Sequence, residues 1–225
     1  MKKWSLSDKL TFLGFIIGFL TLIWGVYQYK DSQEKENNKL KFDENELQRY
    51  WNAKYDFSMK VPTAWVLHPQ ADARDGFRIT HPYEDIEIVA SGTHVDDELF
   101  ELANNKYDEF LYSDFEGTTT MESIKSLKNF QIINRQRVKK DISSKIGKNW
   151  IHQPIPALWL VYRYKDEVNN TEKVAISLVQ AGTGIGEFDQ ALIEATISCP
   201  EKFYESNKDN FAKILLSLEF GRGKN

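Results

Sequence analysis

Residues Leu10–Tyr29, LTFLGFIIGFLTLIWGVYQY, carry no charged side chain. Even trimmed to Leu10–Tyr27, the run reaches about 27 Å as an α-helix, close to the hydrocarbon thickness of a bilayer. Trp4 precedes it, and Trp24, Tyr27 and Tyr29 stand at its far end, where amphipathic rings favour the membrane interface. A cleaved signal peptide is a poorer fit: the run is long, and no small-x-small site follows it, since the chain continues IWGVYQYK. No cysteine near the N-terminus offers a lipid attachment point. The sequence therefore predicts an uncleaved single-pass anchor in a lipid bilayer.

Orientation is closely balanced. Lys2, Lys3, Lys9 and the amino group precede the helix; Lys30, Lys35, Lys39 and Lys41 lie beyond it. Basic residues near the ends decide topology, and acids count little. A short basic leader before an apolar run is the habit of an anchor whose N-terminus stays in the cytoplasm. That orientation puts the rest of the chain outside the cytoplasm; the inverted arrangement stays open. Gly14, Gly18 and Gly25 fall on one helix face. Gly14-x-x-x-Gly18 is the spacing that lets two helices approach closely, and it points to a homodimer through the membrane.

After the anchor comes Asp31–Lys54, strongly charged and free of Pro and Gly. A helix can continue through it, supported by the Asp31/Lys35 pair at i,i+4. Leu40, Leu47 and Trp51 form a narrow apolar stripe at helical spacing. The organisation expected is a basic leader (1–9), a transmembrane helix (10–29), a charged helical stalk (30–54), a globular domain (55–220) and a disordered tail (221–225).

From Tyr55 the period changes to two. Phe57, Met59 and Val61 alternate with Ser58 and Lys60, and Pro62, with no N–H to donate, ends the ladder. Trp65-Val66-Leu67 restarts a strand. Gly76–Thr80 and Ile86–Val95 read as two more, joined by His81-Pro82-Tyr83-Glu84-Asp85. Asp97–Phe115 is helical, with Leu99, Leu102, Ala103, Tyr107 and Phe110 on one face. Asn129–Lys140 alternates. Pro156–Lys165 and Glu172–Ala181 are apolar on both faces, as central strands are, and DEVNNTE joins them. Ala191–Ser198 is a further strand. Pro200 opens a helix whose stripe is Phe203, Asn207, Phe211, Ile214, Leu215 and Leu218. Strands apolar on both sides need two covers, so the fold class is α+β: a mostly antiparallel central sheet with helices on both faces.

Tyr55-Asp56-Phe57-Ser58-Met59-Lys60-Val61-Pro62-Thr63-Ala64-Trp65 has the form Y-x-F-x-(aliphatic)-x-(V/I)-P-x-x-W. At the other end, a strand leads through Cys199-Pro200 into a helix and then Ile214-Leu215-Leu216-Ser217-Leu218-Glu219-Phe220. Both features resemble the PsbP-like superfamily, whose fold is shared by a Ran-binding nuclear import factor, the LpqN lipoproteins and type VI effector chaperones. The resemblance spans Tyr55–Phe220. It implies an α/β/α sandwich that opens on a hairpin of the Pro62-bounded strand and the Trp65 strand. It also implies protein binding rather than catalysis, and it transfers no catalytic residue. The plant PsbP proteins are soluble in the thylakoid lumen; the anchor here departs from them and argues against a photosystem role.

The search for chemistry is short. His68, His81, His94 and His152 show no metal-ligand spacing. His81 and His94 fall on neighbouring strands, which leaves an approach between them open. No G-x-S-x-G elbow occurs, and Gly182, Gly184 and Gly186 lack the Lys and helix of a phosphate loop. Cys199, the single cysteine, precedes a helix start, where a dipole can activate a thiol; a buried inert thiol is the alternative. No cofactor or metal is expected.

Charge is more telling. Between Glu84 and Glu116 eleven acids face one lysine, and between Lys125 and Lys148 eight basic residues face one acid. Arg135, Arg137 and Lys139 alternate, so on a strand they make one basic stripe, suited to lipid headgroups or an acidic protein surface. Nucleic acid is not expected: net charge is -4, and no aromatic ribbon accompanies the cations. The function this supports is a membrane-anchored, non-enzymatic domain that binds an unidentified protein partner. A membrane-associated hydrolase and a cytoplasm-facing sensor or effector are the competing readings.

Overall fold

The strongest local signal, the uncharged run, forms the centre of one long helix, α1 (Leu6–Asn37), in a computed structural model of the chain. The structure describes residues 6–40, 46–68, 76–94, 126–146, 149–182 and 191–220. The expected helix Asp97–Phe115, the glycine-rich 183–190 and the tail 221–225 lie outside these. α1 is one unit of the chain, and the remaining elements form a second.

α1 is long and apolar enough to cross a membrane. It continues past Tyr29, and Lys35 bonds Asp31 at 2.8 Å on its polar end. The helix stops at Asn37, however, so the expectation of a helical stalk to Lys54 is corrected. Leu47–Asn52 is a strand, β1, paired antiparallel with β2 (Phe57–Pro62). The reason is local chemistry that the helical spacing concealed. Asn52 Oδ1 accepts the Tyr55 N–H at 2.9 Å, Asp56 takes a positive φ of 45°, and the Trp51 indole N–H donates to Asp56 Oδ1 at 2.9 Å. Short polar side chains that bond their own backbone favour a turn over a helix. Trp51 is 40% exposed, so it does not serve as the core-facing ridge of a helix.

The remaining strands are β3 (Val66–His68), β4 (Gly76–Thr80), β5 (Glu87–His94), β6 (Lys128–Ile146), β7 (Asn149–Asp166), β8 (Thr171–Gly182) and β9 (Ala191–Pro200). Helix α2 (Glu201–Leu216) and β10 (Glu219–Phe220) close the chain. Seven strands form one antiparallel sheet in the order β3-β4-β5-β9-β8-β7-β6, and β1-β2-β10 form a second. β2 and β3 therefore lie in different sheets, which corrects the expected opening hairpin. At Pro62 the ladder ends, Trp65 N–H donates to the Pro62 carbonyl at 3.2 Å, and the tight turn redirects the chain. Trp65 itself is buried, with its ring edge-on to His81.

The register divides the large sheet into two faces. One carries Ile79, Ile88, Ile197, Ile176 and Val161 in a row across five strands, all buried. α2 packs on β8, β9 and β2 through Phe203, Phe211, Ile214 and Leu215. Phe57 and Tyr50 of the small sheet lie against Phe77 with their rings tilted to it. α2 and the small sheet thus cover this same face. Each large aliphatic or aromatic side chain buried there stabilises the fold by roughly 1.5–3 kcal/mol.

Candidate functional site

The opposite face of the large sheet is polar at its centre. Ser177 and Thr196, opposite each other in register, have hydroxyls 2.6 Å apart, and Thr196 donates to Glu194 at 3.1 Å. Ser198 donates to Glu87 at 3.2 Å, and Arg78 pairs with that carboxylate at 2.8 Å. Tyr162 and Tyr164 join through Ser177 and Ser198, and burial holds both phenols above their ordinary range, so they stay protonated. Sequence reasoning missed this network because Pro156–Lys165 and Glu172–Ala181 read as apolar throughout. The signal was present in β9, where Glu194, Thr196 and Ser198 alternate with Ile193, Ala195 and Ile197.

These groups satisfy one another rather than forming a nucleophile and a base. His68 bonds Thr80 at 2.6 Å. The Nδ1 of His81 accepts the Tyr83 and Glu84 N–H groups, and burial lowers its pKa despite Glu84. The approach of His81 to His94 that the sequence left open does not occur. Antiparallel pairing puts His81 beside the Glu87 end of β5 and His94 at the other end, roughly 23 Å along the strand. Cys199 does precede the Pro200 N-cap of α2, but burial outweighs that position. It lies on β9 opposite Val174, fully buried, and burial pushes its thiol up to about 12.

The basic stripe is placed at the edge of the fold. β6 is the last strand of the large sheet, and among the described residues its only ladder partner is β7. Irregular register near Lys128–Asn134 gives way to unbroken pairing, which sets Arg135 opposite Leu160, Arg137 opposite Leu158 and Lys139 opposite Pro156. The three are at alternate ladder positions. An edge strand offers unpaired N–H and C=O groups as well as side chains, so it can accept a further strand. On α1, a Cβ at Gly14, Gly18 or Gly25 would meet nothing within 4 Å.

The β6–β7 hairpin is also longer than the sheet. β8 pairs with β7 only from Ala157 to Asp166. Lys139–Ile146 and Asn149–Pro156 pair with each other alone among the described residues. This two-stranded arm is invisible in the sequence, where the clear alternation ends at Lys140 and the next apolar run begins at Pro156.

Neither a protein-family model nor a curated protein sequence matches the chain. Solved structures do. The solution structure of cyanobacterial PsbP (CyanoP) from Synechocystis sp. PCC 6803 is 18% identical, with a TM-score of 0.53 over 78% of this chain and 92% of that one. LpqN, involved in cell envelope biogenesis of Mycobacterium tuberculosis, is 13% identical, with a TM-score of 0.43 over 78% and 91%. A mutant of the protein Mog1 is 8% identical, with a TM-score of 0.42 over 77% and 95%. The likeness to cyanobacterial PsbP shows the fold: this domain is PsbP-like in architecture.

Proposed function

We propose that the protein is a membrane-anchored interaction domain that uses the β6 edge to hold a protein partner beside the bilayer. The observation that carries this is β6 itself: a strand of 19 residues at the sheet edge, with Arg135, Arg137 and Lys139 at alternate positions. Backbone groups on such an edge give affinity, and the cations select an acidic partner. The polar network of the other strands is internally satisfied, which favours binding over hydrolysis.

A photo-crosslinking residue at Gln136, which is exposed, is expected to yield a discrete adduct in intact membranes. The same residue at Val168, on the β7–β8 turn, yields none. Glutamine at Arg135, Arg137 and Lys139 together removes the adduct; an undiminished adduct would take the stripe out of the mechanism.

The basic leader supports a domain outside the cytoplasm. Fused after Asn225, alkaline phosphatase is expected to be active and a cytoplasm-dependent fluorescent protein dark. The reverse pattern would invert the anchor and turn the search to cytoplasmic partners. The Gly14-x-x-x-Gly18 spacing suits helix pairing, so leucine at both positions is expected to abolish self-association in membranes. Equal crosslinking of the leucine variant would mean that two chains pair through another surface.

A further inference from the structure

We propose that the segment held by β6 is an extended acidic strand in a fixed register, with acids at every second residue and then, toward its C-terminus, one large apolar side chain. This rests on the reading of β6 as the partner site and adds the chemistry of the partner. β6 is not a uniform edge. Between Lys128 and Gln131 it carries one residue more than β7, and Asn129 there takes a positive φ of 55°. Ile133 is a second extra residue, between Ile132 opposite Tyr162 and Asn134 opposite Val161. Beyond Asn134 the pairing is unbroken. Bulges bend an edge strand and interrupt its row of N–H and C=O groups, so a further strand can form a regular ladder only from Asn134 onward. On a uniform edge an added strand can slide by two residues and keep its faces; a bulge marks where its ladder must stop.

The stop itself is apolar. Ile132 and Ile133 are both exposed, and the Phe130 ring lies 5.6 Å from that of Tyr162. Neighbouring isoleucines left in solvent at the end of an edge ladder suit one large apolar side chain of the added strand. On the other side of the stop, alternate ladder positions carry Arg135, Arg137, Lys139, Asp141, Ser143 and Lys145. Pairing two β6 strands about a twofold axis would set this phase against itself, four cations with one acid, and like charges directly opposite destabilise a ladder. The occupant is therefore a different segment, one whose acids alternate to meet the three cations beside the stop. Antiparallel addition is the more stable kind. Along an antiparallel strand the residues opposite Lys139, Arg137 and Arg135 come in that order, and the apolar residue follows them.

The test measures, by fluorescence anisotropy, the binding of two labelled synthetic peptides to the full chain in detergent micelles. One reads Glu-Thr-Glu-Thr-Glu-Thr-Leu-Thr; the other is the same sequence reversed, with identical composition and charge. The forward peptide is expected to bind roughly tenfold more tightly, because only it places its acids on the cations and its leucine at the stop. Ile132→Ser with Ile133→Ser keeps every charge and is expected to bring the two peptides level. Both residues are exposed, so the melting midpoint stays with that of the parent. Glutamine at Arg135, Arg137 and Lys139 together lowers the affinity of the forward peptide by roughly tenfold. Equal affinity of the parent for the two peptides overturns the proposal, since charge attraction without register would produce it; so does tighter binding of the reversed one. If neither peptide binds while the residue at Gln136 still crosslinks in intact membranes, the partner at β6 stands and the acidic strand alone falls. If both measurements are blank, the reading of β6 as a partner site falls with it.

Discussion

Alanine at Gly76 is expected to lower the stability of the domain by about 3 kcal/mol, one of the largest effects of a single added methyl group in this chain. A Cβ at this position would lie 2.1 Å from the carbonyl oxygen of Ala90 and 2.8 Å from the Cα of Ser91. Both atoms belong to the β5 backbone, which is fixed on one side by β4 and on the other by β9. Relief therefore requires moving a strand, not turning a side chain. Removing a glycine restricts the unfolded chain and by itself stabilises by about 0.4–1 kcal/mol; the clash outweighs that gain. Melting of the full chain in detergent is expected to shift down by about 6–12 °C. Gly92→Ala provides the contrast. Its Cβ would meet Tyr55 Cγ at 2.3 Å, in a buried ring. Truncating Tyr55 to alanine is thus expected to be partly redundant with Gly92→Ala, whereas it adds fully to Gly76→Ala. A Gly76→Ala protein that melts with the parent would mean that β4 sits differently against β5.

The same glycine shows where sequence reasoning ends. Period-two alternation located β2, because a half-buried strand repeats its pattern every second residue, and short apolar runs bounded by turn residues located β4, β5, β8 and β9 to within a residue or two. The stripe of Phe203, Phe211, Ile214 and Leu215 located α2 in the same way. Pairing was harder. Pro62 and Val66 lie four residues apart yet end and begin strands of different sheets, and β9 sits between β5 and β8. Nothing local specifies which distant strand a given one will join. β1 failed for a related reason: six residues with Leu47 and Trp51 four apart fit a helix, and Asn52 and Asp56 decided for the hairpin. The candidate site was legible as residues and illegible as a place. Arg135, Arg137 and Lys139 stand out by charge, but only the strand order puts them on an edge. The polar network across Ser177, Thr196, Ser198 and Glu87 depends on three strands meeting in register.

Replacing Lys173 with methionine is expected to cost about 2–3 kcal/mol and to change how stability depends on pH. The ammonium is nearly buried, its side chain 6% exposed, and it bonds Asp85 at 2.8 Å and Asp166 at 2.9 Å. It ties the β4–β5 turn to the β7–β8 hairpin, where Asn169 also donates to both carboxylates. Removing one member of a buried pair strands the other, at about 3–5 kcal/mol for full burial. Asp85 is 43% exposed and recovers water, which brings the cost down to about 2–3 kcal/mol. Burial alone pulls the Lys173 pKa down, but the hydrogen bonds to Asp85 and Asp166 outweigh it, and the pKa ends above 10.5. The Asp166 carboxyl, bonded by Lys173, is held below 3.8. A raised cation stabilises fully below its unfolded pKa and loses that contribution as pH rises through the folded one. A depressed carboxylate stabilises above its unfolded pKa and loses it as pH falls through the folded one. The margin of the parent over Lys173→Met is therefore flat from about pH 4 to about pH 10 and shrinks beyond both ends. Urea unfolding of the two proteins across that range measures it directly. Adding Asp85→Asn and Asp166→Asn to Lys173→Met removes the stranded charges and is expected to recover most of the loss near neutral pH. A margin that persists undiminished at about pH 2, or a triple variant no more stable than Lys173→Met, would mean that Lys173 acts through the packing of its aliphatic stem instead.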